Sequence, residues 1–101
     1  MAKRTDGNQA EIVRALRSAG ATVQTLHTVG KGCPDLVVGF RGSNYLLEIK
    51  DFRKPPSGRR LTEDETRWHA IWNGQVTVVK DIDEALAAIG AAGTLGLGGV
   101  N

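Results

Sequence analysis

Apolar residues recur at helical spacing in residues 8 to 19, NQAEIVRALRSA, where Ala10, Val13 and Leu16 align with Ile12 and Ala19 beside them. Gly20 follows as a stop, so the pattern predicts a first helix ending there. Alternation then takes over. ATVQTLHTV, residues 21 to 29, sets Val23, Thr25 and His27 on one side and Thr22, Gln24 and Leu26 on the other, and predicts a strand running into Gly30-Lys31-Gly32. Two further strands are predicted at residues 35 to 40 (DLVVGF) and 44 to 50 (NYLLEIK), joined through Arg41-Gly42-Ser43. After the irregular KPPSGRR, Leu61-Thr62-Glu63-Asp64-Glu65 is a capping-box start, with Thr62 as N-cap and Glu65 three residues on. It predicts a helix over 63 to 72 with Trp68, Ile71 and Trp72 as its apolar stripe. QVTVV reads as a short strand, and Asp81 or Asp83 can cap a last helix over EALAAI. The predicted order is αβββαβα in one α/β domain spanning residues 1 to 89. Residues 90 to 101 hold five of the thirteen glycines and are expected to form a disordered tail.

The hairpin of residues 35 to 50 poses the main question, because Asp35, Glu48 and Lys50 sit within or against its apolar runs. If Gly42-Ser43 are the central residues of a type II′ turn, paired positions sum to 85 and Asp35 faces Lys50, with Val37 facing Glu48. Side chains alternate across a strand. Asp35, Val37, Gly39, Leu46, Glu48 and Lys50 therefore share one face, and Leu36, Val38, Phe40, Tyr45, Leu47 and Ile49 the other. Cross-strand neighbours have Cβ atoms about 5 Å apart, so both carboxylates can reach one divalent cation with Lys50 alongside. An Asp35–Lys50 ion pair with Glu48 at the solvent edge fits the same geometry. The hairpin alone leaves both readings open.

Composition adds limits. With 101 residues, 41% hydrophobic and 24% charged, the chain suits one globular domain. No apolar run nears the roughly 18 residues of a membrane-spanning helix, and MAKRTDGNQ lacks the apolar stretch of a signal peptide, so a cytoplasmic protein is expected. Cys33 is the only cysteine and has no disulfide partner within the chain. The net charge of +2 identifies no partner by itself, but six basic residues lie between Lys50 and Arg67, around a loop beside the acids.

Gly32-Cys33-Pro34-Asp35, followed after twelve residues by Glu48-Ile49-Lys50, resembles the signature of the PD-(D/E)XK nuclease superfamily. The predicted αβββαβ order is similar to its restriction-endonuclease-like core, a mixed sheet flanked by helices. Within the superfamily, the chain most resembles small stand-alone virus-type replication-repair nucleases (VRR-NUC), relatives of Holliday junction resolvases. The likeness covers about residues 10 to 89: a helix with an acid at Glu11, G-x-PD-L, L-E-I-K, a basic loop, an L-T helix start, and a final strand and helix.

The resemblance implies a metal-dependent DNA endonuclease. Asp35 and Glu48 would hold Mg²⁺ or Mn²⁺ with the backbone carbonyl of Ile49, and Lys50 would position or activate water. Glu11 matches a helix acid that some relatives use as a further ligand; a solvated glutamate near a helix N-terminus explains it equally well. Glu65 stands where relatives commonly carry Gln, and its capping role accounts for it without catalytic duty. Lys31, Arg53, Lys54, Arg59 and Arg60 are the expected phosphate contacts. Relatives of this size commonly act as homodimers, and a junction or flap preference is the finer expectation. The rival from another class is a non-catalytic nucleic-acid-binding module on the nuclease fold. By pattern, His27 is a strand residue, His69 flanks Trp68, and Asp51 points away from the site.

Overall fold

The computed structural model describes residues 7–91; residues 1–6 and 92–101, the latter most of the expected tail, lie outside them. The chain runs through α1 (Gln9–Ser18), β1 (Thr22–Thr25), β2 (Leu36–Phe40), β3 (Ser43–Ile49), a 3-10 turn (Pro56–Gly58), α2 (Glu63–Ile71), β4 (Thr77–Val79) and α3 (Ile82–Ala88). This is the expected αβββαβα order. The four strands form one mixed sheet in the order β1-β2-β3-β4, antiparallel except for the parallel β3–β4 pair. No described helix is long and apolar enough to cross a membrane.

The core lies on one face of the sheet, where α1 and α3 pack against each other and against the strands. Ile12, Val13 and Leu16 from α1 meet Leu36, Val38, Phe40, Leu47, Ile49 and Val79 from the sheet, and Ala85, Leu86 and Ile89 close the layer. Asp81 caps α3, its Oδ1 accepting the Glu84 N–H at 2.8 Å. The helix ends in a Schellman arrangement, Gly90 N–H to the Ala87 carbonyl and Ala91 N–H to that of Leu86, so Gly90 and the buried Ala91 belong to the packed domain.

The hairpin register differs from the expected one. Leu36 pairs with Leu47 and Phe40 with Ser43, so paired positions sum to 83 rather than 85. The turn residues are Arg41 and Gly42, with φ of 51° and 84°: both positive, as a type I′ turn requires. Its twist matches that of the flanking strands, and the left-handed strain at Arg41 is partly offset by its guanidinium lying 4.8 Å from the Phe40 ring centre. The slip is two residues, which preserves side-chain parity. Leu36, Val38, Phe40, Leu47 and Ile49 still enter the core together. Val37 now faces Leu46, and the register continued one step sets Asp35 opposite Glu48 instead of Lys50.

Two element ends also shift, and one helix face turns outward. The strand predicted over 21 to 29 stops at Thr25, after which one further bond, Leu26 N–H to the Asp35 carbonyl at 2.8 Å, precedes a turn. β4 starts at Thr77 because the Gln75 side chain takes the place of strand backbone: its Oε1 accepts from Leu46 N–H at 2.7 Å and its Nε2 donates to the Leu46 carbonyl at 2.9 Å. In α2 the predicted apolar stripe does not enter the core. Trp68 and Trp72 stack on each other at 4.5 Å, Trp72 is 44% and Ile71 77% exposed, and the one buried residue of the helix is Glu65.

Candidate active site

The second face of the hairpin carries charge. Asp35 stands at the entry to β2 behind the buried Pro34, Glu48 lies within β3, and Lys50 follows its end; they are 3%, 1% and 7% exposed. Asp35 ties three strands together, its carbonyl accepting from Leu26 and its Oδ2 accepting the Ile49 N–H at 2.6 Å. Lys50 Nζ lies 3.9 Å from Glu48 Oε2 and donates to Glu65 Oε1 at 2.7 Å. Glu48 and Glu65 thus flank one ammonium in a nearly dry space, where like charges repel strongly unless a cation separates them.

The Ile49 backbone is oriented by the same strands. Lys50 N–H donates to the Val79 carbonyl on β4 at 3.0 Å. A trans peptide sets the preceding C=O antiparallel to that N–H, so the Ile49 carbonyl points away from β4, toward β2 and Asp35. Two carboxylates and a carbonyl are hard oxygen donors that suit Mg²⁺ or Mn²⁺, ions that keep much of their shell for water and phosphate. Among the described residues, no three His, Cys, Asp or Glu side chains converge as a ready metal cage.

α2 forms the wall above this face. Its capping box is complete: Glu65 N–H donates to Thr62 Oγ1 at 3.1 Å, and Glu65 Oε1 accepts the Thr62 N–H at 2.8 Å. Residues four apart share a helix face, which brings Glu65 to Lys50 and His69 toward Glu48, Nε2 to Oε1 4.0 Å. His69 also meets Trp68 edge to face, the flanking position expected of it. The start of α2 abuts Gly32, where an added Cβ would collide with the Asp64 carbonyl oxygen. A glycine is required at that contact.

The remaining expected site residues fall elsewhere. Glu11 lines a separate cavity of about 260 Å³ with Asn8, Asp51, Phe52, Arg53, Lys80 and Asp81. Asp51 is buried there, bound by the Arg53 side chain through Nε at 2.9 Å and Nη2 at 2.8 Å and by the Arg53 N–H at 2.9 Å. Those hydrogen bonds, led by the guanidinium, hold its carboxyl at about 2. Arg53 is thus engaged by Asp51 while its side chain stays largely exposed. Arg59 lies 5.2 Å from the Phe52 ring centre, and Lys80, which sequence reasoning missed, approaches the same ring at 5.6 Å. Lys31, Lys54 and Arg60 are exposed.

Among solved structures, the chain matches one described as a VRR_NUC domain, with a TM-score of 0.56 and 25% identity over 76% of this chain and 84% of that one. The protein has the VRR-NUC fold. That fold belongs to the PD-(D/E)XK nuclease superfamily, so the likeness carried by Asp35 and Glu48-Ile49-Lys50 extends to the architecture of most of the chain. No family model and no curated protein matches the chain. Glu65 and His69 are the residues of this VRR-NUC fold whose place at the site was not anticipated. Their i, i+4 spacing was a signal that they share a face, but not of what that face meets.

Proposed function

We propose that this chain is a Mg²⁺- or Mn²⁺-dependent DNA endonuclease that hydrolyses phosphodiester bonds. The observation that carries the reading is the buried pairing of Asp35 and Glu48 at the end of two adjacent strands, with Lys50 beside them, on a nuclease fold. In an ordinary small domain, such a cluster costs stability. Asp35 and Glu48, with the Ile49 carbonyl, would hold the ion. The ion would supply neutralisation of the phosphate and a lowered pKa for water at the site. Lys50 directs its ammonium into the space beside Glu48, where it can orient the attacking water and stabilise charge gathering on the phosphate oxygens. Asp35 is anchored at the strand end by the Ile49 N–H, which its Oδ2 accepts.

DNA reaches the site along the basic surface of residues 52 to 60, with Arg59, Arg60, Lys54, Lys31 and Lys80 contacting phosphates and Arg53 presenting its exposed guanidinium beside Asp51. Such contacts give affinity and salt dependence without sequence reading. We assign the protein a homodimeric form, joined through the exposed Ile71 at the end of α2 and Trp72 just after it, because two strand cuts require two such sites. Branched DNA, a junction or flap, is the proposed preferred substrate. The test is incubation of the purified chain with branched and linear DNA in Mg²⁺ or Mn²⁺. Metal-dependent cleavage, lost in Asp35→Ala, is expected; cleavage unchanged in Asp35→Ala contradicts the site, and salt-sensitive binding without cleavage in either metal indicates a binding module.

A further inference from the structure

A glutamate at the third position of a capping box normally works at the helix surface, since it needs only the backbone N–H of the N-cap. Glu65 is different. It is 5% exposed and the one buried residue of α2, and its Oε1 takes two donors, the Thr62 N–H at 2.8 Å and Lys50 Nζ at 2.7 Å. Burying a carboxylate is costly unless it is paired and hydrogen-bonded, and capping alone asks for no such burial. Lys50 is what Glu65 is buried against.

We propose that Glu65 is a positioning residue: it fixes the Lys50 ammonium beside Glu48 and couples it to the loop that presents Asp35. The inference rests on the nuclease reading of the site. A free lysine side chain samples many rotamers, and an anchor on its ammonium removes that freedom before substrate binds. The coupling runs through the start of α2. Gly32, three residues before Asp35, packs against the Asp64 carbonyl and lies close to the Glu65 nitrogen, so the loop, the helix start and the lysine are held in one register. Relatives that this chain resembles commonly carry Gln here, which offers Lys50 a neutral acceptor; a carboxylate adds an opposite charge to that hydrogen bond. Position and charge are therefore separable by substitution.

The test compares the parent with Glu65→Gln and Glu65→Ala, each also in a Lys50→Ala background. Readouts are kcat and KM for DNA cleavage in Mn²⁺, urea stability, and the NMR resonance of the Lys50 Cε in ¹³C-lysine-labelled protein without metal. Glu65→Ala is expected to lower kcat about 10- to 100-fold with KM within about twofold, the size of loss that a small misplacement of a reacting group causes. Glu65→Gln, which keeps an acceptor for both Thr62 and Lys50, should keep parental folding and recover part of the rate. In the Lys50→Ala background, Glu65→Ala should cost nothing further in kcat. Parental kcat in folded Glu65→Ala, or losses that multiply in the double variant, overturns the proposal. If the parent cleaves no DNA, the nuclease reading fails by itself. The Lys50 Cε resonance still decides the positioning claim, which is overturned if Glu65→Ala leaves that resonance unmoved.

Discussion

The two faces of the β2–β3 hairpin are built from alternate residues of the same sixteen-residue stretch, Asp35 to Lys50, yet they do opposite work. Toward α1 and α3, Leu36, Val38, Phe40, Leu47 and Ile49 bury hydrocarbon against hydrocarbon. Toward α2, Glu48 and Lys50 are buried as completely, with Asp35 at the strand entry, and they gain no comparable transfer energy. The first face supplies the free energy that lets the second hold charges out of water. Stability and chemistry are separated here by parity, not by distance along the chain.

That contrast can be broken most sharply at neighbouring residues. Leu47→Ala removes a fully buried core side chain and should cost about 2–5 kcal/mol in urea unfolding. Leu46→Ala, one residue earlier on the half-buried opposite face, should cost about 1 kcal/mol or less, because its site is already partly open to solvent. Equal costs would mean that the faces are not energetically distinct.

A smaller effect comes from the wall over the charged face. Thr62→Ala removes the hydroxyl half of the capping box and should cost about 1 kcal/mol. It should also slow cleavage, since the start of α2 carries Glu65 to Lys50; a stability loss with an unchanged rate in the folded protein would separate the cap from the site.

At the sheet end, Asp51 offers a pH-dependent test. Its folded-state pKa is lowered to about 2 from the ordinary 3.8, so its contribution is present above about 3.8 and is lost as pH falls from there toward 2. Acid titration of the unfolding midpoint should show that loss in the parent, and Arg53→Ala should flatten it, since Arg53 is the main cause of the shift. The smallest expected change in monomer stability is Ile71→Ser, within about 0.5 kcal/mol for a side chain that is 77% exposed. Sedimentation of the same variant should show a weakened dimer; an unchanged association would remove α2 from the proposed interface.

Much of this arrangement was legible in the chain. The element order followed from periodicity and breakers, and Thr62 and Glu65 marked the start of α2 directly. The separation of the faces survived a wrong turn assignment because an error of two residues leaves parity intact. The register itself was not legible: Gly42-Ser43 satisfies the preference of a type II′ turn, and nothing local shows that Arg41 will accept a positive φ. The direction of α2 was also hidden, since its apolar residues face outward while its buried side chain is a glutamate. A contact such as Glu65 with Lys50 joins residues fifteen apart through the packing of a helix on a sheet, and no spacing rule reports it.

The central claim is that Asp35 and Glu48 are held together for a divalent cation, and calorimetric titration of the purified chain with Mn²⁺, beside Glu48→Ala, tests it most directly. The account predicts saturable binding in the parent and its loss in a folded Glu48→Ala variant. Binding of equal affinity in both proteins, or none in the parent, would contradict it.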